Sequence, residues 1–99
     1  MILHTINKSP FDNHSFTECL QHCQPNCSVL LIEDGVYAAQ QKTTFSDIIS
    51  QRVDINFYAL KADILARGLE ATTLSSVTII DDAGFVELAV NHHTVQSWF

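Results

Sequence analysis

The 99-residue chain has no run of 18 apolar residues, so no stretch is long enough to read as a membrane-spanning helix. Basic residues are scarce: five lysines and arginines stand against eleven acids, for a formal net charge of −6. Proteins that grip RNA or DNA carry a basic patch that displaces counterions. Here Lys8, Lys42, Arg52, Lys61 and Arg67 are scattered along the chain, so no direct nucleic-acid binding is expected. Glycine is also scarce, with three residues, and neither G-x-G-x-x-G nor G-x-x-x-x-G-K-[ST] occurs. The standard dinucleotide and P-loop phosphate sites are therefore missing, and no cofactor is expected. The opening "MILHTINKSPF" has neither the basic start nor the apolar run of an export signal. The chain is expected in the reducing cytoplasm, where stable disulfides are rare. Its three cysteines, an odd number, also make a poor disulfide framework.

What the chain does have is apolar residues: 46% of the total, against a charged fraction of 16% that lies below the usual ~25%. A domain this small has little interior in which to hide them. The surplus points either to a greasy small domain or to a face covered by a partner, because obligate interfaces resemble a core cut in half. The length fits a single domain, residues 1–99, with no internal repeat, linker or low-complexity tract.

Strand-like and helix-like segments alternate. "ILHTI" at residues 2–6 is β-prone, and "NKSPFD" is a loop around Pro10. Asn13 or Ser15 can cap a helix through "SFTECLQHC", with Phe16, Cys19, Leu20 and Cys23 on one apolar stripe. "SVLLIE" at 28–33 reads as a strand buried on both faces. Asp34-Gly35 turns into a helical segment, and Thr43 or Thr44 caps another over 43–50. A strand at 55–60, a helix closed by Gly68 and a strand at 76–81 follow. The last helix is capped by Asp81 or Asp82, with Phe85, Val86, Ala89 and Val90 expected inward, and "TVQSWF" has the composition of an edge strand. The pattern predicts a small Rossmann-like α/β domain: a mostly parallel sheet of about five strands with helices on both faces.

Chemistry concentrates in "CLQHCQPNC", residues 19–27. Its C-x3-C-x3-C spacing matches neither the paired knuckles of structural zinc nor the C-x2-C of iron–sulfur proteins, so no metal is expected from the spacing. Free cysteine is among the most buried residue types, which favours packing for Cys23 and Cys27. Cys19 lies in the first half of its helix, where the positive dipole end favours a thiolate. It is the candidate thiol; His22 can approach it along the helix, and His4 and His14 only through the fold. His92-His93 near a helix C-terminus suit the dipole there without further chemistry. Trp98 and Phe99, two aromatics at the end of the chain, are candidate interface anchors.

Several stretches, "ILHTINKSPF", "LLIEDGVYAA", "YALKADILARGL", "DDAGFVELAV" and "VQSW", together resemble the TusB/DsrH family in the right order along nearly the whole chain. The resemblance implies a small cytoplasmic subunit with a DsrEFH-like fold. Such a subunit assembles with TusC/DsrF-like and TusD/DsrE-like partners into a heterohexamer with two copies of each. The complex relays sulfur as cysteine persulfide to a TusE/DsrC-like acceptor. One branch serves 2-thiouridine synthesis at the tRNA wobble position, the other serves sulfur oxidation. The principal persulfide cysteine is implied to lie on the TusD/DsrE-type subunit. Cys19 matches a cysteine of the DsrH-like members and is thereby a possible secondary carrier; Cys23 and Cys27 match no such position. An accessory role is expected rather than independent enzymatic turnover.

Overall fold

Parallel β-pairing organises the chain, and a computed structural model describes residues 2–99. The strands are β1 (Ile2–Ile6), β2 (Ser28–Leu31), β3 (Asn56–Leu60), β4 (Thr78–Ile80) and β5 (Thr94–Trp98). They form one sheet in the order β4-β3-β2-β1-β5, with every pairing parallel. The helices are α1 (Ser15–His22), α2 (Thr44–Gln51), α3 (Lys61–Ala66) and α4 (Asp82–Asn91). A 3-10 segment, Glu33–Ala39, follows β2. The expected α/β architecture is thus present, with β5 at the edge beside β1.

Right-handed crossovers decide which face each helix covers. The connections β1→β2→β3→β4 all step one way across the sheet, so α1, the 3-10 segment, α2 and α3 gather on one face. The main core lies there: Ile6, Phe16, Cys19, Val29, Leu31, Val36, Ile49, Phe57, Ala59 and Ile64 are buried together. Phe16 stacks edge-on against Phe45 of α2 at 5.8 Å between ring centroids. The β4→β5 connection steps back across the whole sheet, which carries α4 to the opposite face. There His92 Nε2 meets Ser28 Oγ at 3.0 Å, two residues from the buried Leu30 of the same face.

Local chemistry fixes the ends. Thr43 caps α2 with Ser46 returning the bond, and Asp81 accepts from Gly84 N at 2.9 Å to start α4. At α1 the cap differs from the expectation. His14 occupies the N-cap without a side-chain bond, and Asn13 Oδ1 instead accepts from Ser15 N at 2.7 Å. Gly35 is required by crowding, since a Cβ there would sit 2.1 Å from the Ile6 carbonyl oxygen.

One packing expectation needs correction. Phe85, Val86, Ala89 and Val90 do not all turn inward: α4 buries no residue fully, and Val86 and Val90 are 63% and 76% exposed. The sheet face on the α4 side alternates Thr5, Ser28, Asn56, Thr78 and Ser97 with Leu3, Leu30, Tyr58, Leu60, Ile80 and Val95, and α4 does not cover all of it: Val95 stays 45% exposed.

Candidate functional site

Helix α1 runs with its apolar stripe against β1, and ends where Pro25 cannot continue it. Cys23 is its C-cap residue, and its N–H bonds back to the Leu20 carbonyl. The chain then turns tightly: Asn26 adopts φ 70, Cys27 N donates to Gln24 O at 3.1 Å, and Asn26 N donates to Asp54 O. Arg52 braces the turn, donating to the Leu20 carbonyl at 3.2 Å while paired with the Asp54 carboxylate at 3.1 Å. This pairing holds the Asp54 carboxyl below its ordinary range.

The turn delivers Cys27 to the start of β2, and sheet register does the rest. Leu3 pairs with Ser28 and His4 with Val29, so Cys27, Val29 and His4 point to the same face. His4, Cys23 and Cys27 are consequently brought together, with one ligating atom from each lying within 4.8 Å of the others, all three buried. His4 is further held by Trp98 of β5, whose indole Nε1–H donates to His4 Nδ1 at 3.0 Å. His22 flanks the same indole, with ring centroids 5.7 Å apart, and its Nδ1–H donates to the Glu18 carbonyl at 2.8 Å. A cleft of ≈ 280 Å³ opens here, lined by Ile2, His4, His22, Pro25, Asn26 and Cys27 among others.

Burial shapes the electrostatics. Burial, followed by the charge of nearby His22, holds His4 below the ordinary imidazole value. A hydrogen bond with Cys19 and then burial push the Cys23 thiol up. Burial and a hydrogen bond with Cys23 push Cys27 up to about 12. Cys23 and Cys27 are thus neutral thiols at physiological pH, unlike the activated thiolates of sulfur-transfer chemistry.

The residues singled out in the sequence land in different environments. Cys19 is 0% exposed, its side chain sealed within the main core between α1 and the sheet. Cys23 and Cys27 are buried as expected. Trp98 and Phe99 part company: Trp98 packs against the core and bonds His4, whereas Phe99 is 80% exposed. His14 stays on the exposed cap of α1, far from the thiol cluster in role. His92 Nδ1–H bonds the Leu88 carbonyl and its other nitrogen reaches Ser28, a structural arrangement on the α4 face. The sequence pattern had not joined His4 to Cys23 and Cys27, because only strand register brings residue 4 beside residue 27.

Comparison with known proteins agrees with this architecture. A family model described as "DsrH like protein" matches residues 8–95. Protein TusB of Enterobacter sp. (strain 638) is 37% identical over 98 residues, covering 98% of this chain and 100% of that protein. Protein TusB of Shigella flexneri is 33% identical over 97 residues, with 98% and 100% covered. Among solved structures, the ychN protein from E. coli superposes with a TM-score of 0.79 at 15% identity, covering 97% of each chain. A protein of unknown function from Methanobacterium thermoautotrophicum reaches 0.68 at 14% identity, covering 96% of each. These structural likenesses bear on the fold alone; the sequence matches span nearly the full length of the chain and of the relatives. On that ground the chain belongs to the DsrH-like family that includes TusB.

Proposed function

We propose that this chain is an assembly subunit of a cytoplasmic persulfide relay supplying sulfur for 2-thiolation of the tRNA wobble uridine. The observation that carries the proposal is whole-length kinship with proteins named TusB. Its partners are then TusC/DsrF-like and TusD/DsrE-like subunits in a heterohexamer, with a TusE/DsrC-like protein downstream. The apolar residues that the fold leaves outside support this role. Val86 and Val90 lie one helical turn apart on α4, and exposed Phe99 follows the edge strand β5. A homologous α/β subunit docked there would cover surface that this chain cannot bury alone.

Within such a complex, the geometry favours a scaffold over a carrier. Persulfide relay proceeds by attack of one thiolate on the outer sulfur of another cysteine, so donor and acceptor must touch. A thiol with no exposed surface cannot meet a second protein unless α1 moves. The alternative, a DsrH subunit of a sulfur-oxidation complex passing sulfur to a DsrC-like acceptor, is supported by the DsrH family match and by Cys19 itself.

The test is co-expression with TusC- and TusD-like subunits from the same source. A stable complex containing two copies of each chain is expected. A chain that purifies alone under those conditions would overturn the proposal. Loss of wobble thiolation on deletion supports the tRNA branch, and intact thiolation with impaired sulfur oxidation supports the alternative.

A further inference from the structure

We propose that His4, Cys23 and Cys27 form a binding site for a thiophilic divalent cation of the zinc class. The three side chains come from β1, the C-cap of α1 and the turn before β2, and their ligating atoms already lie within 4.8 Å of one another. Two thiolates and an imidazole are the donor types that zinc takes in structural and catalytic sites. Two thiolates would also neutralise a dication, which a buried position requires. Loading balances as one cation in and two thiol protons out to the buffer, with no change of oxidation state.

The local sequence spacing gives no hint of this set. A C-x3-C pair is unlike a zinc knuckle, and the only histidine beside it in the chain, His22, is not one of the three clustered ligands. The fold supplies the missing ligand by pairing Leu3 with Ser28, which sets His4 on the face that also receives Cys27. The turn between the cysteines is braced by Arg52 and Asp54, so the pair is held in place before any ion arrives. The cleft at this spot provides an entry route, with His22 on its wall. Because the His22 Nδ1–H is engaged by the Glu18 carbonyl, its lone pair resides on Nε2. That tautomer is the one usual for a histidine that binds metal.

One consequence is specific to this site. A neutral imidazole offers a single lone pair, and that of His4 now accepts the Trp98 indole N–H. A cation that takes this lone pair must displace the indole. Metal loading and the Trp98–His4 bond therefore exclude each other, and loading releases a contact that ties the edge strand β5 to the sheet interior. Trp98 is the chain's single tryptophan, so its fluorescence reports the exchange directly.

The test uses the full-length chain, reduced and metal-free, titrated with Zn2+ against a chromophoric chelator. One ion per chain is expected, with a change in tryptophan emission that saturates at the same equivalence point. Cys27→Ser and His4→Gln should each weaken binding by more than about tenfold, the lower bound seen even for residues that only orient a ligand. Val86→Ser, at an exposed position of α4 on the opposite face of the sheet, should leave binding unchanged. Circular dichroism of each variant checks that it has folded. As a readout independent of any variant, Co2+ added to the unmodified chain should give a thiolate-to-cobalt charge-transfer band. The proposal is overturned if Zn2+ is not retained against the chelator, if the cobalt band is absent, or if folded Cys27→Ser and His4→Gln chains bind as tightly as the parent.

Discussion

The two faces of the sheet are built from one set of strands and finished very differently. On one face, Ile6, Val29, Leu31, Phe57 and Ala59 point into a sealed layer of α1, α2, α3 and the 3-10 segment, and Phe16, Cys19 and Val36 are 1% exposed or less. On the other, serines, threonines and an asparagine alternate with larger side chains such as Leu3, Leu30 and Tyr58, and α4 buries no residue completely. Strand alternation makes such a split possible, because successive side chains serve opposite faces. The first face carries the stability of the domain. The second holds an exposed apolar stripe that is too sparse to be a core and well suited to become one when a partner adds its half.

The sharpest way to break the comparison is to make the same substitution on both faces. Phe16→Ala should cost about 3–5 kcal/mol, the usual range for emptying a buried phenylalanine site. Against a total stability of about 5–15 kcal/mol, much of the population could unfold. Phe85→Ala on α4, where the ring is only half-buried, should cost about 1 kcal/mol, near the centre of point-mutant effects. Urea unfolding of the two variants beside the parent measures both. Equal losses would mean that α4 seals a true second core.

A pH series sharpens the account of the sealed side. Buried His4 is held below its ordinary value of 6.5, so it resists the proton that the unfolded chain accepts. Below that ordinary value the unfolded state binds more protons, and stability falls as pH drops until native His4 also titrates. In chelator, the urea midpoint should therefore decline on going from neutral to mildly acidic pH, and the decline should be shallower in His4→Gln. A parallel decline in both chains would assign the effect to other groups.

The smallest effect is expected on the outer stripe. Val86→Ser and Val90→Ser together should change the stability of the isolated chain by no more than about 0.5 kcal/mol per site, as surface substitutions usually do. The same pair should lower yield of the complex with TusC- and TusD-like partners. Loss of stability without loss of assembly would show the stripe to be structural.

How much of this was legible in the sequence follows the same division. The strands and helices were readable because each carries its own period and cap: "SVLL" as a continuous buried run, Thr43 and Asp81 as N-caps, Gly68 at φ 65 after α3. The outward Val86 and Val90 were not, because apolar spacing on a helix shows a stripe without showing whether anything lies opposite it. Cys19 was marked for chemistry by its place in α1, but helical position does not reveal that the thiol is turned into the sheet. The assembly of His4 with Cys23 and Cys27 was invisible for another reason. It depends on parallel register between β1 and β2, a long-range property that no local pattern encodes.

The central claim is that burial in the sealed face keeps Cys19 out of the relay while the open face joins the complex. Intact-mass spectrometry after incubation with a persulfide donor addresses it most directly, run on this chain alone and with its partner subunits, beside Cys19→Ser. The account predicts that added sulfur appears on the TusD/DsrE-like partner and that this chain keeps its unmodified mass. An added sulfur atom on this chain, lost in Cys19→Ser, would contradict it and make Cys19 a carrier exposed by movement of α1.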